Sequence, residues 1–490
     1  MNPTMQLHEQ IQQCLVRQEF ETAEQWASSY VKQAPASSAA WLLLGQALLG
    51  RGYGAMAQLA FQRAWLLDPE ATWVRAVFAA LKQSQAGPIR EEIVELLKVK
   101  KVTVTAAVIA KNEERCIERC LNSLIGAFDE IVVMDSGSTD KTMEIVRRFP
   151  EVKLYETEWK DSFSQLRNET IPLLTSDWVL WIDADEVLYP DDAKHVREAA
   201  GLFDAFEQPV ILQVWMANQY GRHFHQDFSQ SRMFPLNRGL RYYGRVHNQI
   251  APDGGLQERV NTVSRKVRIR LIHDGYDPSV WRGRQKGDRS FKLLQQMVDE
   301  EPLNPSGWFF YGRDCFNVGE YDRALAYLKE AERLALMTPA FSALGTVRMY
   351  MAQIHLQQQE WVEAMRLCEE VLQRSPDYPD ARYYLAQAQM GQAREHLRQA
   401  QQAIVSYNEA LPGYRGAIAP DAEIKAWKAG RHMAELAVRS SKLAEARDLY
   451  EHFIEQFPQV EPLQAGRQAL NGKIEKLLAA PTVRQKPASE

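Results

Sequence analysis

At 490 residues, 46% hydrophobic and 25% charged, the sequence has the composition of a folded multidomain protein and argues against a disordered or fibrous class. A formal net charge of −5 and the lack of a basic, aromatic-interleaved stripe argue against nucleic acid as a partner. No apolar run approaches the ~18 residues of a membrane span and Met1 to Cys14 carry no signal-peptide core, so a cytoplasmic protein without a transmembrane segment is expected.

The first region, 1–100, reads as a tetratricopeptide-like helical domain. Trp41, Leu44, Gly45, Leu48, Ala57, Phe61, Ala64 and Pro69 fall on that repeat's spacing, with small residues where helices cross and proline after the second helix. Ala23, Ala27, Tyr30 and Pro35 precede Ala57, Phe61, Ala64 and Pro69 by the repeat's period of about 34 residues.

Over 101–285 the period changes to short β-rich runs alternating with helical stretches. Val102 to Ala110, Glu130 to Asp135, Val152 to Thr157 and Trp178 to Asp183 read as strands; Glu114 to Leu124, Lys141 to Phe149 and Ser164 to Leu174 read as helices. The series predicts an α/β, Rossmann-like, mostly parallel doubly wound sheet, in which ligands bind beyond the carboxyl ends of the strands.

Over 286–480 helical hairpins return on a looser spacing, through Trp308, Tyr311, Gly312, Ala324, Leu328 and Ala331, then Ala352, Ala364, Cys368 and Pro376, with further pairs to Pro458. The stretch 481–490 is polar, carries two prolines and is expected to be a disordered tail. The five cysteines, Cys14, Cys116, Cys120, Cys315 and Cys368, form no CxxC or zinc-spaced cluster; they fit a reduced compartment and are expected to serve packing.

Three strand ends of the central region carry polar clusters: Lys111-Asn112-Glu113-Glu114, Asp135-Ser136-Gly137-Ser138-Thr139-Asp140 and Asp183-Ala184-Asp185-Glu186. Asp135 is placed to accept hydrogen bonds from a base or ribose, although turns of this composition also simply cap the next helix, here through Thr139 or Asp140. In Asp183-Ala184-Asp185, alternate side chains point the same way, so two carboxylates can approach one divalent cation that would bridge a diphosphate; a solvated acidic turn is the alternative. Its position after the apolar run Trp178-Val179-Leu180-Trp181-Ile182 favours the cation site.

Ala107 to Asn112, Asp135 to Thr142, Arg167-Asn168 and Trp181 to Glu186 together resemble the nucleotide-sugar half of inverting GT-A, family 2 glycosyltransferases. The resemblance covers roughly Val102 to Tyr276 and is strongest to the branch with lipopolysaccharide-core glucosyltransferases, bacteriocin S-glycosyltransferases and repeat-bearing flagellin glycosyltransferases. It implies a UDP-sugar donor and Mn²⁺ or Mg²⁺, with Asp183 at the ribose or the metal and Asp185 at the metal. It places Asp135 against uridine, Arg167 by the diphosphate or the nucleotide pocket, and Ala110 and Asn112 at the uracil, with Glu114, Trp181 and Ala184 counted in the donor site. Gly244-Arg245-Val246-His247-Asn248 resembles a segment whose histidine approaches diphosphate and metal, which assigns His247 as a third metal residue. His273-Asp274-Gly275-Tyr276 is expected to close over the phosphates.

Relatives often carry an acid where this chain has Asn248, which cannot accept a proton. The catalytic base therefore falls to Glu186, Asp227 or His223, with Glu186 and Asp227 preferred. Stacked helical hairpins offer a concave surface suited to a polypeptide acceptor modified on Ser or Thr, with flagellin the acceptor the resemblance implies, and also leave room for self-association. Transfer to a peptide cysteine, transfer to a glycolipid and a non-catalytic scaffold are the alternatives.

Overall fold

The structure is a computed structural model that describes residues 3–220, 223–273, 286–339 and 341–479. The chain divides into two compact units, Met1–Ser342 and Ala343–Glu490. The expected tail 481–490 and the residues Asp274 to Tyr276 lie outside the described residues.

The first unit opens with helices α1 (Pro3–Val16), α2 (Phe20–Gln33), α3 (Ser38–Gly50), α4 (Gly54–Leu67), α5 (Val74–Leu81) and α6 (Glu91–Leu97). The repeat spacing has a direct steric reading: a Cβ on Gly45 would lie 2.5 Å from the ring of Phe61, so α3 and α4 approach closely only because position 45 is glycine. Trp41, fully buried, donates from Nε1 to the Pro35 carbonyl at 2.8 Å, tying helix α3 to the turn before it.

The central sheet follows, built from β1 (Val104–Ala110), α7 (Ile117–Leu124), β2 (Glu130–Asp135), α8 (Thr142–Val146), β3 (Val152–Glu156), α9 (Phe163–Thr170), β4 (Trp178–Asp183), β5 (Glu186–Leu188), α10 (Ala193–Phe203), β6 (Val210–Tyr220), β7 (His223–Asp227), β8 (Ser231–Pro235), β9 (Leu240–Tyr243), β10 (Gln249–Pro252) and β11 (Val263–His273). The main sheet runs β3-β2-β1-β4-β8-β6-β11-β5, with β7 on β6; β9 and β10 form a separate hairpin. Strands β1, β2 and β4 read as nearly unbroken apolar runs because both their faces are covered.

The expectation of a parallel sheet holds for β3-β2-β1-β4 and again for the β6–β11 pair. Strand β8 pairs antiparallel with both β4 and β6, and β5 antiparallel with β11, so the sheet is mixed. The short strands β7 and β8 are rich in polar residues and carry no helical crossover between them, which is why an alternating β/α reading passes over them.

The N-terminal helices share a core with this sheet. Leu66 of α4 belongs to the same buried cluster as β1, β4 and β11. On β11, Arg268 lies over the Trp65 ring at 4.1 Å and Arg270 stands 5.9 Å from it. Arg63 is 3% exposed and donates to Glu198 of α10 at 2.5 Å; Glu198 also meets His195 at 2.7 Å.

Helices α11 (Lys286–Glu300), α12 (Pro305–Asn317) and α13 (Tyr321–Ala335) complete the first unit. The second unit contains α14 (Leu344–Gln357), α15 (Trp361–Arg374), α16 (Pro379–Ala410), α17 (Ala429–Arg439), α18 (Leu443–Gln456) and α19 (Glu461–Ala479), packed as successive hairpins. The tie first seen at Trp41 recurs six residues after a proline: Trp308 donates to the Pro302 carbonyl, Arg382 to that of Pro376 and Gln464 to that of Pro458. No helix among the described residues is long and apolar enough to cross a membrane, and all five cysteines are buried and unbridged.

Candidate active site

A cavity of about 510 Å³ opens at the carboxyl ends of β1 and β4. Of the residues expected at the site, Ala110, Arg167, Asp183, Ala184, Asp185, Glu186, Asp227 and His247 line it together. Asn112, Glu114, Asp135, Trp181 and His223 do not.

Strand β4 delivers Asp183, the turn after it Asp185, and the start of β5 Glu186. Asp183 Oδ2 accepts from Arg232 Nη2 at 2.8 Å and Oδ1 from Arg167 Nη2 at 3.3 Å. The same Arg232 donates to Glu186 Oε1 at 3.0 Å, while Glu186 Oε2 accepts the Asp183 backbone N–H at 2.9 Å. Burial alone would raise the Asp183 carboxyl, but Arg232 and Arg167 hold it well below the usual carboxylate range. Glu186, 2% exposed, is pushed up to about 7 by burial in spite of Arg232, with the charge of Asp183 adding to the rise.

Register explains the third partner. Strand β5 pairs with β11 so that His273 lies opposite Glu186, which brings His273 Nε2 to 3.4 Å from Asp185 Oδ2. His273 Nδ1 faces Asn218 Oδ1 of β6 at 3.1 Å. Burial opposes protonation of His273, but its hydrogen bond to Asp185 and the surrounding carboxylates outweigh this and raise its pKa.

Arg167 sits with its guanidinium over the rings of Trp181, at 5.7 Å, and Tyr242, at 5.1 Å, and also donates to Asn248. Asn248 in turn donates to the Gly244 carbonyl, so the residue at the position where an acid was sought fixes a loop and an arginine. That loop is the turn of the β9–β10 hairpin, and Gly244 and His247 both adopt positive φ, 84° and 49°. His247 is held by α12: its Nε2 meets Asp314 at 3.0 Å, Arg313 approaches the ring at 2.9 Å, and Phe310 lies 4.8 Å from it. His247 therefore lines the cavity while facing α12, and Asp185 has His273 as its imidazole neighbour. Among the described residues, no group of three or more His, Cys, Asp or Glu is arranged to hold a metal ion.

Asp135 is 1% exposed and spends its carboxylate on its own turn, accepting the N–H groups of Gly137 at 2.9 Å and Ser138 at 2.8 Å. Asn112, at φ 58°, accepts the Thr139 N–H at 2.7 Å, and Glu114 accepts the Lys141 N–H at 3.0 Å. These residues lock the loops after β1 and β2 to each other, and the Asp140 carboxylate caps Thr142 in the manner weighed from the sequence. Asp227 lies at the cavity with its carboxylate bound by the Ser229 N–H at 2.7 Å and Gln230 Nε2 at 3.1 Å; burial opposes these bonds, but they lower its pKa overall. Arg232, Tyr242 and Asn218 are the residues that sequence reading missed. Asn218 alone gave a signal, a polar side chain in the long and largely apolar strand β6.

The Glycosyl transferase family 2 description matches residues 105–251, and the Tetratricopeptide repeat description matches 355–419. The chain therefore carries a family 2 glycosyltransferase domain together with tetratricopeptide repeats. Among known proteins it is 32% identical over 230 residues to the SPbeta prophage-derived glycosyltransferase SunS of Bacillus subtilis, covering 47% of this chain and 53% of that one. It is 27% identical over 243 residues to a TPR repeat-containing protein of Synechococcus elongatus, covering 48% and 58%. The chain thus spans a little over half the length of these relatives. Among solved structures, S. aureus TarS 1-349 in complex with UDP-GlcNAc aligns with a TM-score of 0.34 at 13% identity, over 56% of this chain and 93% of that one.

Proposed function

We propose that the protein is an inverting, metal-dependent glycosyltransferase that moves a sugar from a UDP-sugar to a Ser or Thr side chain of a protein acceptor held by the helical arrays. The catalytic domain is taken as 101–285, between helical regions 1–100 and 286–480. The observation that carries the reading is the joining of Asp183, Asp185, Glu186, Arg167, Arg232 and His273 around one cavity at the carboxyl edge of the sheet, inside the region matched to family 2.

Asp185 and His273 are partly exposed to the cavity, 11% and 15%, and offer an oxygen and a nitrogen donor suited to Mn²⁺ or Mg²⁺, with Asp183 beside them. Such a cation, when bound, counters the negative charge that grows on the departing diphosphate. Arg167 and Arg232 hold Asp183 in place, and Glu186 fixes the Asp183 backbone, so the carboxylates are positioned before any ligand arrives. Glu186 is nearly inaccessible, which leaves Asp227, half-buried at the cavity, as the carboxylate that accepts the acceptor's proton. The acceptor oxygen then bonds to the anomeric carbon as the bond to the diphosphate breaks on the opposite face and UDP leaves.

One observation favours a second reading, transfer to a peptide cysteine. The hydrogen bonds that lower the pKa of Asp227 make it a weak base. A thiol ionises near pH 8.5 and needs far less help from a base than a hydroxyl. The test is UDP release from a panel of UDP-sugars with and without Mn²⁺, using paired acceptor peptides that differ only by Ser or Cys. Metal-dependent release that Asp185→Ala abolishes supports the proposal, and the preferred peptide chooses the acceptor atom; no UDP-sugar binding under any condition refutes it.

A further inference from the structure

The cavity holds more cationic side chains than its carboxylates engage. Arg167 is committed to Asp183 and Asn248, and Arg232 to Asp183 and Glu186. Arg289, from helix α11 beyond the sheet domain, also lines the cavity, and among the described residues it makes no hydrogen bond or ion pair. Asp161, an acid in its vicinity, is already bound by Lys292 at 2.8 Å and by Trp159 Nε1 at 2.8 Å. Lys111 at the end of β1 likewise has no carboxylate partner among the described residues, but it is exposed on a flexible stem.

What sets Arg289 apart is how it is held. Its guanidinium lies 4.4 Å over the Trp159 ring and 5.0 Å from that of Phe163, and these two rings brace each other edge to face at 4.8 Å. Stacking fixes the plane of a guanidinium through its face and leaves its in-plane N–H donors unused. A group so placed matches the geometry of a phosphate, which accepts two parallel N–H bonds. The aromatic platform is itself anchored: Asp161 adopts φ 52°, and the Phe163 N–H donates to the Arg245 carbonyl at 2.9 Å.

We propose that Arg289 binds a phosphate oxygen of the donor's diphosphate, so that the first helix after the catalytic domain completes the donor site. The inference rests on the UDP-sugar reading above, and its test separates the two. Binding of UDP and of uridine to the full chain is measured by titration calorimetry, with Mn²⁺ and with EDTA, for the wild type, Arg289→Met and Arg289→Lys. Methionine keeps apolar bulk on the aromatic platform, and a thermal melt checks each variant's fold. The expected result is UDP affinity reduced about tenfold or more in Arg289→Met, with uridine affinity unchanged and lysine restoring part of the loss. Equal UDP binding by wild type and Arg289→Met overturns the inference while leaving the donor site standing, and would leave Arg289 to an acidic acceptor group. Parallel loss of uridine and UDP also overturns it, because it shows a structural role. A wild-type chain that binds neither UDP nor uridine refutes both readings.

Discussion

Replacing Glu198 with glutamine removes the charge on which three elements meet: Arg63 of α4, His195 of α10 and, through His195, Arg268 of β11. Burial opposes the Glu198 carboxylate, but His195 and Arg63 bring its pKa down to about 2 from an ordinary 4.5. A carboxyl stabilised in this way in the folded state contributes about 3 kcal/mol above pH 4.5, and the contribution disappears as pH falls through 2. Glu198→Gln should therefore lower the unfolding free energy of the first unit by about 3 kcal/mol at pH 7, with some addition from leaving Arg63 buried without its counter-charge. Wild type and variant should converge as pH drops from 5 toward 2. Urea denaturation of the full chain followed by tryptophan fluorescence reads the transition, since Trp41 and Trp65 lie in the adjacent helices. A loss below about 0.5 kcal/mol at pH 7, or a loss that does not shrink in acid, would refute the assignment of stability to this network.

Gly45→Val should destabilise the N-terminal helices by about 1 to 3 kcal/mol, because its Cβ would overlap the buried ring of Phe61; local hydrogen exchange over 38–67 measures it. Arg232→Met leaves the buried Glu186 and the half-exposed Asp183 without their shared cation, and a loss of about 1 to 3 kcal/mol in chemical denaturation, far larger than for Arg232→Lys, is the expected outcome. Asp227→Asn should reduce turnover about a hundredfold on a hydroxyl acceptor and much less on a thiol, with UDP affinity unchanged; steady-state kinetics on paired peptides decides this.

The parts of the fold that were legible were those in which local pattern and tertiary role coincide. Trp41, Gly45 and Phe61 keep their repeat spacing because each fills a fixed place between two helices that pack whatever else the chain does. Strands β1, β2 and β4 are apolar throughout and end in polar clusters, so the edge at which Asp183 and Asp185 emerge could be inferred from sequence. The site's counter-charges could not. Arg232 reaches Asp183 only because β8 inserts antiparallel beside β4, and His273 reaches Asp185 only through the β5–β11 register, with no trace of either pairing in local composition. The clamp on His247 comes from Asp314, 67 positions away on another helix. Asp135 and Asn112 show the converse: the sequence marked a functional-looking loop correctly as a turn but gave no means of knowing that its acceptors are consumed within it.

Strand β11 runs from beneath one domain into the heart of another. Arg268 and Arg270 along its length lie against Trp65, and its last residue, His273, faces Asp185. Anyone trimming the chain to a minimal catalytic fragment would find no neutral place to cut between α4 and β1. Removing the first hundred residues strips Leu66 from the sheet's own core and the Trp65 ring from Arg268, on the strand whose end sets the imidazole. For the same reason, a chimera carrying a foreign repeat array should be spliced inside the array, upstream of α4, so that α4 travels with the sheet as part of its wall.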